Sequence, residues 1–194
     1  MLEAEQLKYY FKLFKNLEFK DLTSIFKLAK IKKLKAGEIF INEGDFFNKI
    51  SYIKKGIIRA YFIKDNGDEI TTMLRWEDQI ISSYDTILFK NPSRFYYQAL
   101  ENTILIEVDY EIAQSFMVKN PKLEEGRKYF MLKMLAETLT RIESFVLLSP
   151  EERYIQFVKD KPNIINRVSS KHIATLLGIT PVSLSRIKSR IINK

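Results

Sequence analysis

Between Thr180 and Arg190 the chain places Val182, Ser183, Ser185, Arg186, Ser189 and Arg190 on one side of a helical repeat, and Leu184 and Ile187 on the other. One histidine and no cysteine in the whole sequence leave these hydroxyls without an activating base or a thiolate neighbour. Their chemistry is hydrogen bonding. Short hydroxyls give and accept, and a guanidinium offers a planar fork that matches base edges and phosphates. Arg186 is the expected direct reader of a base edge, a guanine by that geometry, with Ser183 and Ser185 as secondary candidates and Val182 placed to meet a thymine methyl. Ser169, Ser170 and Lys171 lie one helix upstream, where hydroxyls, amides and charge could hold a phosphate. His172 is expected to be exposed or phosphate-facing rather than a ligand or catalyst.

A two-helix unit must position these groups. Ile173, Leu176 and Leu177 give the first helix an inward face, and Ala174 is small enough for a second helix to cross closely. Gly178 supplies a sharp turn, Ile179 plugs it, Thr180 caps the second helix and Pro181 starts it. Leu184, Ile187 and Ile191 then face inward. This is the pattern of a helix-turn-helix that enters double-stranded DNA. A plain helical hairpin shares the apolar spacing but does not need Ala174, Gly178 and Ile179 together.

Charge agrees. The net charge of +8 is uneven, because no acidic residue follows Asp160 while Lys161, Arg167, Lys171, Arg186, Lys188, Arg190 and Lys194 do. Residues 1–160 then hold 25 basic against 24 acidic side chains. A one-sign end on a nearly neutral chain points to an anionic partner. Without cysteine, and with a single histidine, no metal, iron–sulfur or haem cofactor is expected. No apolar run approaches a membrane span and the N-terminus does not read as a signal peptide, so a cytoplasmic protein with no membrane partner is expected.

Upstream, residues 3–16 and Phe19–Ala29 read as helices. From Ile31 to about residue 110, short β-branched and aromatic runs punctuated by Gly37, Gly44, Gly56 and Gly67 predict seven or eight strands in an antiparallel sandwich or barrel. Asp65-Asn66-Gly67-Asp68 is a hairpin turn. Helix returns from Pro121 to about Leu148, where Leu132, Leu135, Leu139, Ile142 and Val146 repeat at spacings of three and four. Phe130, Met131, Met134 and Phe145 add a second apolar face, so one face is expected to pack on the barrel and the other on a second copy. A helix lying only on its own barrel is the alternative. Ser149-Pro150-Glu151-Glu152 is a capped helix start and a domain boundary; that helix continues through YIQFVKD, and KPNII ends it. The predicted organisation is a β-roll with N-terminal helices over 1–118, a dimerisation helix over 119–148 and a helix-turn-helix over 149–194.

This order, with "KAGEIFINEGDFFNKISYIKKGIIRAYFIKDNGDEI" in the roll and "SSKHIATLLGITPVSLSRIKSR" at the end, resembles the Crp–Fnr family of bacterial transcription regulators along essentially the whole chain. The resemblance implies an α+β fold: an antiparallel jelly roll like a cyclic nucleotide-binding domain, a dimerisation helix and a winged-helix-like terminal unit. The chain ends at Lys194, so the hairpin that often follows the recognition helix is expected to be missing. The resemblance further implies a homodimer on a near-palindromic site, acting without catalysis. A small-molecule effector of open identity, or none, and RNA polymerase complete the expected partners.

The ligand region departs from the family pattern. Ser82 and Ser83 stand near where cyclic-nucleotide binders carry a Gly-Glu pair, and Arg94 matches the phosphate arginine. Phe95 and Tyr96 replace that arginine's small neighbours, so the pocket is expected to bind a different ligand or none. The alternative is a cyclic-nucleotide-responsive regulator in which Arg94 binds the phosphate. Pro181 and Val182 also replace an Arg-Glu pair on the recognition helix, so the family's target sequence does not transfer. A cupin-type enzyme would need several metal-ligating histidines, and a nucleotide module acting on a protein partner would leave the basic terminal unit unexplained.

Overall fold

A computed structural model describes residues 28–119 and 121–192; the helix expected over 3–16, and nearly all of that expected over Phe19–Ala29, lie outside the described residues. Eight strands follow: β1 (Lys30–Leu34), β2 (Ile39–Ile41), β3 (Lys49–Lys55), β4 (Ile58–Ile63), β5 (Glu69–Arg75), β6 (Ile80–Ile81), β7 (Tyr96–Ala99) and β8 (Thr103–Asp109). They form two four-stranded antiparallel sheets, ordered β1-β8-β3-β6 and β2-β7-β4-β5. β8 shows the expected period of two, burying Thr103, Leu105 and Glu107 and leaving the residues between them partly exposed. Of these, Leu105 joins Leu34, Ile41, Ile53, Ile58, Ile81 and Tyr97 in the core of the roll.

Two turns make the sheets possible. At the β4–β5 hairpin, Lys64 donates its amide to the Asp68 carbonyl at 2.9 Å, and Gly67 sits at φ +83°. At the β3–β4 corner, Gly56 has φ +105°, and a Cβ there would lie 2.2 Å from Thr103 Oγ1. Only glycine fits a corner pressed so closely against β8.

β4 breaks the alternation. Ile58, Arg59, Ala60 and Tyr61 are all buried, because both faces of this strand are covered. Ile58 and Ala60 face the roll core, while the preceding Ile57 joins Leu74, Ile164, Val168, Ile173, Ala174, Leu177 and Leu184 in a second apolar cluster. The roll and the C-terminal helices therefore share one buried surface.

Seven helices complete the described chain: α1 (Tyr84–Phe89), α2 (Tyr110–Lys119), α3 (Pro121–Leu147), α4 (Pro150–Asp160), α5 (Pro162–Ile165), α6 (Ser170–Leu176) and α7 (Pro181–Ile192). α3 matches the expected long helix, and its seam is open: Leu132, Leu135, Leu139, Ile142 and Val146 are 51–76% exposed. The α4 start is a capping box, with Glu152 N donating to Ser149 Oγ at 3.3 Å and Ser149 N to Glu152 Oε2 at 2.8 Å. KPNII does more than end α4. Lys161 leaves the helical region at φ −132°, as a residue before proline does, and Pro162 then opens α5. Among the described residues no helix is long and apolar enough to cross a membrane.

Candidate nucleic-acid interface

The terminal unit is built as its residue types require. Ser169 caps α6 by accepting from His172 N, and the Ile179 amide reaches back to the Ala174 carbonyl at 3.0 Å to close the turn. Gly178 lies at φ +70°, and a Cβ there would stand 2.7 Å from the Phe145 ring, so the turn rests directly on α3. Thr180 Oγ1 accepts from Ser183 N at 3.1 Å at the start of α7. Ile173, Ala174, Leu177, Leu184 and Ile187 are buried, 8% exposed at most.

The opposite face of α7 is open. Val182 is 61% exposed, and Ser183, Ser185, Arg186, Ser189 and Arg190 are exposed as well. Several of these groups are engaged locally. Thr180 and Ser183 share a hydroxyl contact at 2.9 Å, and Ser189 Oγ donates to the Ser185 carbonyl at 3.1 Å. Lys188 Nζ donates to Ser170 Oγ at 2.7 Å, tying α7 to the start of α6. Arg190 pairs with Glu151 of α4 at 2.9 Å. The α7 face thus receives a carboxylate from the fold, that of Glu151 beside Arg190. Arg186 has no ion pair within the described residues, and Lys171 stands exposed at the start of α6.

The expectation for His172 is overturned. It is half-buried against the roll, where Arg59 donates to Nδ1 across 3.0 Å, which requires a neutral ring. Arg59 is itself buried, bonded to Gln98 at 2.8 Å and paired with Glu69 at 2.6 Å. Burial, then Arg59, push the His172 pKa down to about 4, with Glu69 opposing and Lys171 adding to the shift. Alongside, Thr71 N donates to Thr175 Oγ1 at 3.1 Å. Arg167 bridges Glu77 and Glu101 of the roll at 2.6 and 2.5 Å. Burial raises the Glu77 carboxyl, but Arg167 and the Gly56 amide outweigh it and hold the pKa at about 2. α6 is thus docked on β5 through polar contacts that the sequence alone did not bring together.

A pH dependence follows. The His172 pKa is lower in the folded than in the unfolded chain, so the unfolded state binds the extra proton between about pH 6.5 and 4. The contribution of this contact is present above pH 6.5 and lost progressively as pH falls toward 4. Thermal unfolding across that window should show wild type losing stability more steeply than His172→Gln. Parallel curves would refute the assignment.

The ligand region differs from its expected arrangement. Ser82 and Ser83 are buried, with Ser82 Oγ donating to the Lys49 carbonyl at 2.6 Å and Ser83 capping α1. Both hydroxyls are engaged with backbone, Ser82 with β3 and Ser83 with the first turn of α1. Arg94 is 72% exposed, and both its amide and its guanidinium bond Asp85, at 3.0 and 2.9 Å. Burial raises the Asp85 carboxyl, but Arg94 outweighs it and holds it below the usual carboxylate range. A phosphate at Arg94 would have to compete with that carboxylate. Asp85 is the residue the sequence reading missed; its place two positions after the capping Ser83 was the available signal.

Comparison with known proteins fits this geometry. The cyclic nucleotide-binding domain family matches residues 31–120. An anaerobic regulatory protein of Haemophilus influenzae is 26% identical over 180 residues, covering 84% of this chain and 67% of that protein. The chain spans about two thirds of the length of the curated relatives it matches. The structure of FixK2 from Bradyrhizobium japonicum superposes with a TM-score of 0.72 at 15% identity, covering 85% of each chain. A putative regulator of the crp/fnr family from Eubacterium rectale gives 0.69 at 20% identity, covering 92% of this chain and 85% of that one.

Proposed function

We propose that this chain is a DNA-binding transcription regulator of the Crp–Fnr kind, acting as a homodimer whose paired α7 helices enter successive major grooves of a near-palindromic site. The observation that carries the reading is the open polar face of α7, where Arg186 is exposed and has no ion pair among the described residues, opposite the buried Leu184 and Ile187. Arg186 reads the base edge, Val182, Ser183 and Ser185 line the groove, and Thr180 and Ser189 stand at its flanks. Ser169, Ser170 and Lys171 meet the phosphates, and Arg190 joins them once released from Glu151. The seam of α3 from Leu132 to Val146 supplies the dimer contact. The protein works in the cytoplasm and without catalysis, and its degenerate pocket around Ser82, Ser83 and Arg94 takes a ligand other than a cyclic nucleotide, or none. RNA polymerase is its partner on the promoter.

Gel-shift titration tests this reading. On a preferred site, affinity should fall steeply between 50 and 200 mM salt, as counterion release requires, by roughly 10³-fold if about six phosphates are contacted. Arg186→Ala should weaken that site by about 5- to 150-fold while leaving non-specific binding nearly unchanged. Equal loss on all sequences would make Arg186 a phosphate contact, and no loss would remove it from the interface.

A further inference from the structure

A cleft of about 730 Å³ opens where β5, α3, α4 and the end of α6 meet. It shares no lining residue with the smaller cleft beside Asp85 and Arg94. Its walls are apolar and aromatic, with Trp76, Phe145 and Phe157 among them. Its charge is one-sided: Arg75, Lys133, Arg141, Arg153 and Lys161 line it against only Glu137 and Asp160. Arg75 takes Glu137 at 3.1 Å.

Arg141 is the unusual member. Its guanidinium is half-buried and donates to two backbone carbonyls, that of Thr72 on β5 and, at 3.1 Å, that of Leu176 on α6. No carboxylate of the described residues pairs with it, and burial together with Arg75 disfavours its charge. Arg153 also donates to carbonyls, of Leu177 at 3.2 Å and Leu148 at 2.7 Å. Both guanidinium groups lie over the Phe145 ring, at 5.7 and 4.9 Å. A desolvated cation without a counter-ion is costly, and an anion that supplies one is favoured. The volume matches a small organic ligand, and the rings offer a planar body a face to stack on.

We infer that this cleft binds an organic anion with a planar apolar body, its carboxylate or phosphate taken by Arg141 and its ring system packed among Trp76, Phe145 and Phe157. Because Arg141 also holds Thr72 of the roll and Leu176 of the helix-turn-helix, the anion draws on the donor that ties those two units together. Occupancy therefore shifts DNA affinity, and DNA shifts anion affinity by the same factor. That coupling rests on the DNA-binding reading; the binding of the anion does not.

Calorimetry without DNA separates the two. Wild type is titrated with 1-naphthoate, with the neutral 1-naphthylmethanol and with adenosine monophosphate. 1-Naphthoate should bind with a dissociation constant on the order of 1 mM or tighter, as its size allows, and the alcohol at least tenfold more weakly. Arg141→Gln should weaken the carboxylate at least tenfold and leave the alcohol unchanged. Tighter binding of the nucleotide than of naphthoate would identify phosphate as the preferred head group. If Arg141→Gln does not fold, the carboxylate–alcohol difference in wild type decides alone. The inference is overturned if neither anion binds, if the alcohol binds as well as the carboxylate, or if Arg141→Gln binds naphthoate normally.

Discussion

Leu135→Glu combined with Leu139→Glu should turn the protein into a folded monomer and weaken its hold on a full two-half site more than 100-fold. Both side chains are more than half exposed on α3, within a stripe that includes Leu132, Ile142 and Val146. Such a stripe, at spacings of three and four, is the seam of a helix pair. In a symmetric contact every substitution appears twice, so two glutamates per chain place four like charges in one apolar seam. Neither substitution disturbs the roll core, which lies elsewhere. Losing the partner removes the second recognition helix, and with it an effective-concentration gain of about 10²–10⁴. Sedimentation and gel shift on full and half sites measure this together. Monomers with unchanged half-site binding are expected. A persistent dimer, or undiminished full-site affinity, would return α3 to a purely intramolecular role.

Leu184→Ala should cost about 2–5 kcal/mol of stability, the range for emptying a buried leucine site. Leu184 is fully buried, and its cluster includes Ile57 and Leu74 of the roll as well as Ile173, Ala174 and Leu177. The cavity would open in the surface that joins the two units, so both should feel it. In a chain of this size the melting temperature should fall by roughly 5–15 °C in one cooperative transition. Two separated transitions, with only the smaller one shifted, would mean that the terminal helices melt independently of the roll.

Much of this architecture is legible in the sequence because it rests on local rules. Periodicity marks β8 and α3, and Asn66-Gly67 marks the hairpin. Ser149 and Glu152 mark a helix start, and Gly178 with Pro181 separates two helices. The inward set Ile173, Ala174, Leu177, Leu184 and Ile187 was readable from spacing alone. What could not be read lies between distant segments. Arg59 and His172 are 113 positions apart and Arg167 and Glu77 are 90, so no pattern along the chain signals their pairing. The Arg94–Asp85 pair is only nine positions apart, yet its strength comes from burying the carboxylate, which composition does not report. The cleft around Arg141 exists only because four elements converge on it.

Selection of bound DNA from a random pool tests the central claim most directly. If paired α7 helices read DNA, wild type should enrich an inverted repeat with half-site centres about one helical turn, or a multiple of it, apart. Arg186→Ala should lose preference at one base pair in each half, a guanine in the wild-type motif. Recovery of no motif, or of one that Arg186→Ala selects equally well, would contradict it.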